Sequence, residues 1–294
     1  MSVILITGSS TGIGLATAVY LSRKGHRVYA SMRNLDRSGE LRAAAESNKC
    51  KIEIIALDVR DEQSVKKAVA QVLEREGRID VLVNNAGIAP MGPLEEVDDA
   101  VVRSVFDTNV FGLLRCIRAV LPSMRTQRSG SIINIGSVAG SVASACSSIY
   151  AASKFALEGL SESLAQEVQP FGIHVALVKP GFIVTPIIAK ALETLPSPER
   201  SAYPVAVSIS NALFQSATTT GGPPEAVAAT IEEAMIDRTS RLRYPVGEPA
   251  RALLAARADM SEEEWVDMGR HETLEAYFGE IVSHMPPPAK SAAG

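Results

Sequence analysis

The sequence predicts an α/β fold: one doubly wound parallel sheet with helices on both faces, followed by a C-terminal helical extension. Three observations predict it. Short β-branched runs alternate with longer helical stretches, the rhythm of repeated strand–helix–strand units. The first run, Val3-Ile4-Leu5-Ile6-Thr7, is apolar along its length, as a strand covered on both faces must be. A glycine-rich turn, Thr7-Gly8-Ser9-Ser10-Thr11-Gly12-Ile13-Gly14, leads from that strand into a helix.

The elements follow in order. Residues 13–24 read as the first helix, stopped at Gly25, a natural residue after a helix C-cap. Arg27 to Ser31 is a second strand, residues 36–47 a helix, and Lys51 to Leu57 a third strand ending in Asp58. Asp61 caps a helix that reaches Glu76 and ends at Gly77. Asp80 to Val83 is the fourth strand; a helical stretch from Asp98 to Thr126, in one or two pieces, leads to the fifth, Ser131 to Ile135. Residues 149–169 form a helix and His174 to Val178 a sixth strand. Beyond Pro186 the rhythm changes, and residues 187–222 read as a long, partly helical excursion. A helix starts at Pro224-Glu225, since proline suits the first helical position, and runs to Ile236. Arg241 to Val246 is a last strand. Ser261-Glu262-Glu263-Glu264 fits a capping box, and a final helix covers 271–284. The tail 286–294, with three consecutive prolines, is expected to fray.

With 294 residues the length alone suggests two domains, at about 150 residues each. The order of elements argues instead for one Rossmann-type domain over residues 1–246 and an extension over 247–294. Hydrophobic residues make up 46% and charged residues 21%, which excludes wholesale disorder. The net charge of −4, without a basic stripe, argues against nucleic acid. No apolar run approaches the length of a membrane span. Cys50, Cys116 and Cys146 make neither a disulfide framework nor a metal-site spacing, so no metal is expected. The start of the chain lacks a signal-peptide pattern, and the cytoplasm is the expected location.

Glycines in a turn between strand and helix let the backbone approach a pyrophosphate, and the helix offers free N–H groups and a positive dipole end. Gly8, Ser10, Thr11, Gly12, Ile13 and Gly14 are therefore candidate dinucleotide contacts. The spacing is G-x-x-x-G-x-G rather than G-x-G-x-x-G, so the turn alone is weak evidence. At the end of the second strand an acid would hold a ribose 2′-hydroxyl, whereas an arginine accommodates a 2′-phosphate. The sequence reads Tyr29-Ala30-Ser31-Met32-Arg33-Asn34, with no acid. Arg33 therefore favours NADP(H) over NAD(H). Asp58 and Val59 follow the third strand on the same edge, where the carboxylate can meet an adenine amino group or serve as a helix cap. Asn85, Ala86 and Gly87 follow the fourth, small enough for close approach of a ligand.

Tyr150 and Lys154 are four apart on one helix face, and Ser137 lies just past the fifth strand. Hydride transfer at a carbonyl needs such a set. The oxygen gains negative charge and must be protonated. A phenol is a poor acid–base at neutral pH, a nearby ammonium favours phenolate and lowers its pKa, and a serine hydroxyl can donate to the oxyanion. Tyr20 and Lys24 share the spacing but lack the serine, and read as packing plus a solvated charge.

The ordered set Thr7-Gly8…Gly12-Ile13-Gly14, Asn84-Asn85-Ala86-Gly87, Ser137, Tyr150…Lys154 and Pro180-Gly181…Thr185 resembles the short-chain dehydrogenase/reductase family, in its NADP-preferring branch. Arg27 to Asn34 is also similar to hydroxysteroid and retinol dehydrogenase members. The resemblance covers residues 2–246. It implies that Asn109 is a fourth catalytic residue, holding a water in a proton relay. It implies that Lys154 also binds the nicotinamide ribose beside Tyr150, that Ile183 and Thr185 contact the carboxamide, and that Pro180 and Gly181 shape that pocket. It implies an alcohol dehydrogenase or carbonyl reductase acting on a small hydrophobic substrate, with a pocket lined by Val138, Gly140, Val142, Ile149, Phe182 and the 187–220 segment. It further implies a homodimer or homotetramer through the helices around 100–126 and 149–169. The competing readings are a cofactor-sensing binding protein and a non-redox isomerase. Nothing in the resemblance carries over to the surplus length, where the substrate is chosen.

Overall fold

The structure is a computed structural model, and it describes residues 1–237 and 239–286. Of the tail 286–294 expected to fray, residues 287–294 lie outside the described residues. Seven strands form one fully parallel sheet: β1 (Val3–Ile6), β2 (Arg27–Met32), β3 (Ile52–Ala56), β4 (Val81–Asn84), β5 (Gly130–Ile135), β6 (Ile173–Lys179) and β7 (Arg243–Pro245), in the order β3-β2-β1-β4-β5-β6-β7. The chain winds outward from β1 to β3 and then returns to lay β4 on the other side of β1. The strand order reverses between β1 and β4, which opens the crevice where ligands bind in such sheets.

Side-chain alternation builds the two layers. Val3 and Leu5 point to one face, where they pack with α3 (Glu62–Glu76), α5 (Gly112–Gln127) and α6 (Ser148–Val168). Ile4 and Ile6 point to the other, against α1 (Gly12–Arg23), α2 (Gly39–Ser47) and α9 (Pro224–Ile236). Strand ends and helix caps follow their expected chemistry. The Asp61 carboxylate accepts from the N–H groups of Gln63 and Ser64, and Gly77 closes the helix at φ +71°.

The stretch expected as one or two helices is α4 (Asp99–Phe106) and α5, joined by a π-helical turn at Asp107–Phe111. Such turns carry one extra residue and recur at functional sites. Here it accompanies a close approach: a Cβ on Gly112 would meet Val59 at 2.8 Å. The excursion after Pro186 resolves into α7 (Pro186–Thr194) and α8 (Pro204–Thr220). The extension holds α10 (Gly247–Asp259), α11 (Glu262–Asp267) and α12 (Leu274–Ser283). The capping box at Ser261 and Glu264 is formed on both sides. The extension builds its own small core, Ala256, Met260, Met268, Tyr277 and Ile281, and closes it on Ile209 of α8. Among the described residues no helix is long and apolar enough to cross a membrane.

Candidate active site

The glycine turn sits at the head of the crevice, and its glycines are required by contacts that are already made. A Cβ on Gly8 would lie 2.8 Å from the Ala86 Cα, and one on Gly14 would run into the Gly8 carbonyl and the Asn85 amide. Gly12, at φ +58°, faces the Thr185 side chain at 3.2 Å. Asn85 donates from Nδ2 to the carbonyls of Thr7 and Gly8, while the Thr7 hydroxyl accepts from the N–H groups of Asn85 and Ala86. Asn85 therefore braces the turn from behind. Thr7 plays the matching part, which the sequence reading did not assign to it.

Arg33 stands exposed at the end of β2. Its charge reaches Asp58, whose carboxyl burial alone would raise. The Arg60 N–H, the Arg60 guanidinium and Arg33 outweigh burial and hold it below its ordinary value. Asp58 does not cap α3; it accepts from the Arg60 N–H at 3.0 Å and pairs with its guanidinium at 3.3 Å.

The chemistry-bearing residues gather at the sheet edge beside this turn. Ser137 leaves β5 in extended backbone, and its hydroxyl oxygen accepts from the Ala139 N–H at 3.1 Å, which leaves the hydroxyl proton free to donate outward. Tyr150 lies half-buried in the first turn of α6, with the Ser137 side chain near enough to act on its phenol. Lys154, one turn on, is buried and donates to the Ile135 carbonyl at 2.8 Å; its Nζ lies 5.6 Å from the Tyr150 ring centroid.

One electrostatic expectation is corrected. Burial pushes the Tyr150 phenol up from its ordinary value, and only the Ser137 hydrogen bond pulls the other way. The reason is that Lys154 aims its ammonium at a main-chain carbonyl and not at the phenol oxygen. Burial in turn brings the Lys154 amine down to about 8.

Asn109 occupies the π-helical turn and is buried. Its Oδ1 accepts from the Ile88 N–H at 2.9 Å, and its Nδ2 donates to the Ile88 carbonyl at 2.9 Å and to the Ser153 Oγ at 3.1 Å. Ser153 in turn donates to the Tyr150 carbonyl at 2.7 Å. The Asn109 amide is thus a strut between the loop after β4 and the helix of Tyr150. Ser153 completes that strut, and no sequence signal beyond its place on the inner face of α6 pointed to it.

On the far wall, the Val138 N–H donates to the Pro180 carbonyl, and Ile183 bridges to Gly222 at the end of α8. Gly181 follows Pro180 in this wall, and Thr185 stands at the N-cap position of α7 with its hydroxyl turned back to the Ile183 carbonyl. Gly140 does not line a pocket: a Cβ there would meet the Lys154 carbonyl at 2.9 Å, so this residue lies against α6. Phe182 stacks edge-on against Phe214 of α8 at 5.3 Å.

The loop from Ser141 to Ser147 spans Ser137 and Tyr150. The Trp265 indole donates to the Ala143 carbonyl at 2.9 Å, and Ser210 donates to that of Ala145 at 3.2 Å. A cavity of about 240 Å³ opens beside it, walled by Ser144, Ala145, Ile209, Leu213, Met268 and Tyr277. The extension supplies part of that wall, which the sequence reading did not foresee. The Tyr20–Lys24 pair is also revised. Both side chains converge on Glu232 of α9, the phenol at 2.7 Å and the ammonium at 3.1 Å, so this is an anchored ion pair.

The chain as a whole is similar to known proteins. The short chain dehydrogenase family model matches residues 2–196. Human 17-beta-hydroxysteroid dehydrogenase type 1 is 45% identical over 197 residues, 65% of this chain and 60% of that protein. Retinol dehydrogenase 8 of Bos taurus is 43% identical over 200 residues, 67% of this chain and 64% of that protein. The match thus spans less than two thirds of the length of either relative. The solved structure of a short-chain dehydrogenase from Streptomyces avermitilis superposes with a TM-score of 0.75 at 34% identity, covering 92% of this chain and 96% of that one. The turn, the tyrosine–lysine helix and strands β1 to β6 all lie within residues 2–196, and the chain belongs to the short chain dehydrogenase family of oxidoreductases.

Proposed function

We propose that this protein is an NADP(H)-dependent oxidoreductase that interconverts an alcohol and a ketone or aldehyde on a small hydrophobic substrate. The observation that carries the proposal is the convergence of Ser137, Tyr150 and Lys154 on the sheet edge beside the glycine turn. The residues present fit the dinucleotide. Gly8, Gly12 and Gly14 let the turn fold tightly against Ala86, Thr185 and the Asn85 amide, the compact form a pyrophosphate-binding turn needs. Ser10, Thr11 and Ile13 lie on the same turn, and Arg33 is exposed where a 2′-phosphate would be met. Asp58 with Val59 would flank the adenine. Asn85, Ala86 and Gly87 would back the phosphate turn, and Pro180, Gly181, Ile183 and Thr185 would bound the nicotinamide.

When bound, NADPH supplies a hydride to the carbonyl carbon. Tyr150 gives its phenolic proton to the carbonyl oxygen, a task for which its raised pKa keeps it protonated at neutral pH. Ser137 donates its free hydroxyl proton to the same oxygen as negative charge develops. Lys154, its Nζ held by the Ile135 carbonyl, would bind the nicotinamide ribose rather than draw down the phenol's pKa. Asn109 fixes the helix that carries Tyr150 through Ser153. Phe182, Phe214 and the apolar wall of the 240 Å³ cavity support a hydrophobic substrate. The helices α5 and α6 are the expected faces of a homodimer or homotetramer.

The test is a panel of ketones and aldehydes assayed with NADPH and NADH in parallel. Carbonyl-dependent oxidation of NADPH, lost in Tyr150→Phe while NADPH still binds, is the expected result. Tight NADPH binding without turnover of any carbonyl would refute the enzymatic reading.

A further inference from the structure

Lys179 is almost wholly buried, 3% exposed, at the last position of β6. Its Nζ lies 2.5 Å from Glu158 Oε1 and 2.5 Å from the Ser141 hydroxyl. Each partner belongs to a different part of the active site. Glu158 is one turn beyond Lys154 on α6. Ser141 ends the short turn that begins at Ser137. Lys179 itself is followed directly by Pro180, whose carbonyl accepts from Val138 at 2.9 Å. The fit between these segments is tight, since a Cβ on Gly140 would meet the Lys154 carbonyl at 2.9 Å and Glu158 Cγ at 3.3 Å. The other Glu158 oxygen takes the Arg243 guanidinium of β7 at 2.7 Å.

A buried ion pair is a poor source of net stability, because desolvation offsets most of the attraction. Apolar side chains of similar volume would fill the same space. What an ammonium adds is a directed hydrogen bond to the Ser141 hydroxyl together with an electrostatic tie to Glu158, whose Oε1 makes no hydrogen bond. We propose that Lys179 is a positioning residue of the active site, a junction that holds the Ser137 turn, the Tyr150–Lys154 helix and the Pro180–Gly181 wall in one register. This rests on the oxidoreductase reading above. Lys179 touches no reacting atom; it acts through Ser141 and Glu158.

Lys179→Met alone leaves a buried carboxylate short of a partner and can fail to fold, so the main variant is Lys179→Met/Glu158→Gln, which removes both charges. Ser141→Ala is the milder companion, leaving the ion pair in place. In ketone reduction the double variant is expected to lose about 10-fold to 100-fold in kcat, the range that a small misplacement of reacting groups costs. KM is expected to change little, and the primary isotope effect with 4-deuterated NADPH to rise, because the chemical step is the one slowed. Lys179→Arg, which keeps a cation, is expected to recover part of kcat. In the binary complex, the emission of bound NADPH is expected to shift in the double variant, as the Pro180–Gly181 wall moves. A double variant with wild-type kcat and isotope effect, changed only in melting temperature, overturns the proposal. Should the wild-type protein reduce no carbonyl, the oxidoreductase reading fails, and the NADPH emission alone decides the positioning role: an unchanged spectrum overturns it.

Discussion

The state of Lys154 between pH 7 and 9 is the sharpest consequence of the site. Burial lowers its amine from 10.5 to about 8, and the residue is only 8% exposed, so little solvent screening reduces the effect. At about 1.4 kcal/mol per pKa unit, burial disfavours the ammonium by about 3 kcal/mol. The direction follows from linkage. Below pH 8 both the folded and unfolded chain hold this proton, and the fold bears the full cost. Between 8 and 10.5 the fold releases the proton while the unfolded chain keeps it, so this group's contribution to stability improves as pH rises. Function moves the opposite way. The ammonium outnumbers the amine by roughly ten to one at pH 7, and the ratio inverts at pH 9. The Tyr150 phenol, raised from 10.0, stays protonated throughout, so Lys154 is the member of the pair that changes state. In ketone reduction, kcat/KM for NADPH reports the free enzyme and is expected to fall about 10-fold from pH 7 to pH 9. Lys154→Arg keeps its charge, and is expected to be slower at every pH but without the inflection. A flat wild-type profile, or the same inflection in the arginine variant, would refute the reasoning.

Four other outcomes follow. Arg33→Asp is expected to shift the NADPH-to-NADH ratio of kcat/KM by about 30-fold or more toward NADH, given that a charge-assisted bond is worth about 2 kcal/mol; an unchanged ratio would remove Arg33 from the cofactor site. Gly14→Ala drives a methyl group into the Gly8 carbonyl and the Asn85 amide, and calorimetry with NADPH should show weakened binding together with a lowered melting temperature. Tyr150→Phe should lower kcat by about 10²-fold to 10⁴-fold with NADPH affinity within a few-fold of wild type, measured by fluorescence titration. Trp265→Phe removes the donor to the Ala143 carbonyl, and denaturant unfolding should show a loss of about 1 kcal/mol.

The cofactor half of the molecule was legible because its rules are local. A turn that needs φ +69° at Gly8 and φ +58° at Gly12 announces itself as glycine, and Asp61 and Gly77 mark the two ends of α3 by capping chemistry alone. That the sheet is parallel follows from the strand–helix alternation, whereas its strand order does not, since handed crossovers permit more than one. The substrate half was not legible in the same way. Whether residues 187–222 coil or form α7 and α8 depends on burial against Met91, Cys146 and the extension, which no short window contains. α10 went unassigned because its start, Gly247 at φ +74°, reads as a turn, and its apolar face is small and alanine-rich. Ser153, Ser141 and Lys179 each look like a solvated polar residue in sequence. Their partners lie 44, 38 and 21 positions away, and only tertiary packing brings them together.

The two tyrosine–lysine pairs show how much of an active site is environment rather than spacing. Tyr20 and Lys24 stand at the same i, i+4 separation as Tyr150 and Lys154, each with its ammonium near the ring, at 5.2 and 5.6 Å from the centroid. On α1 the pair meets Glu232. Its carboxylate hydrogen-bonds Lys24 and draws that amine above its ordinary value, so the charge is neutralised and stays a cation at all working pH. On α6 no carboxylate is among the causes that shift Lys154. The ammonium there leans on the Ile135 carbonyl, burial lowers it to about 8, and the phenol keeps its proton. A cation with a full counter-charge cannot respond when an oxyanion forms beside it. One held by a neutral carbonyl in a buried site keeps most of its field for the charge that the reaction creates. The distinction rests on a glutamate 208 positions from Lys24, beyond the reach of any reading of the motif itself.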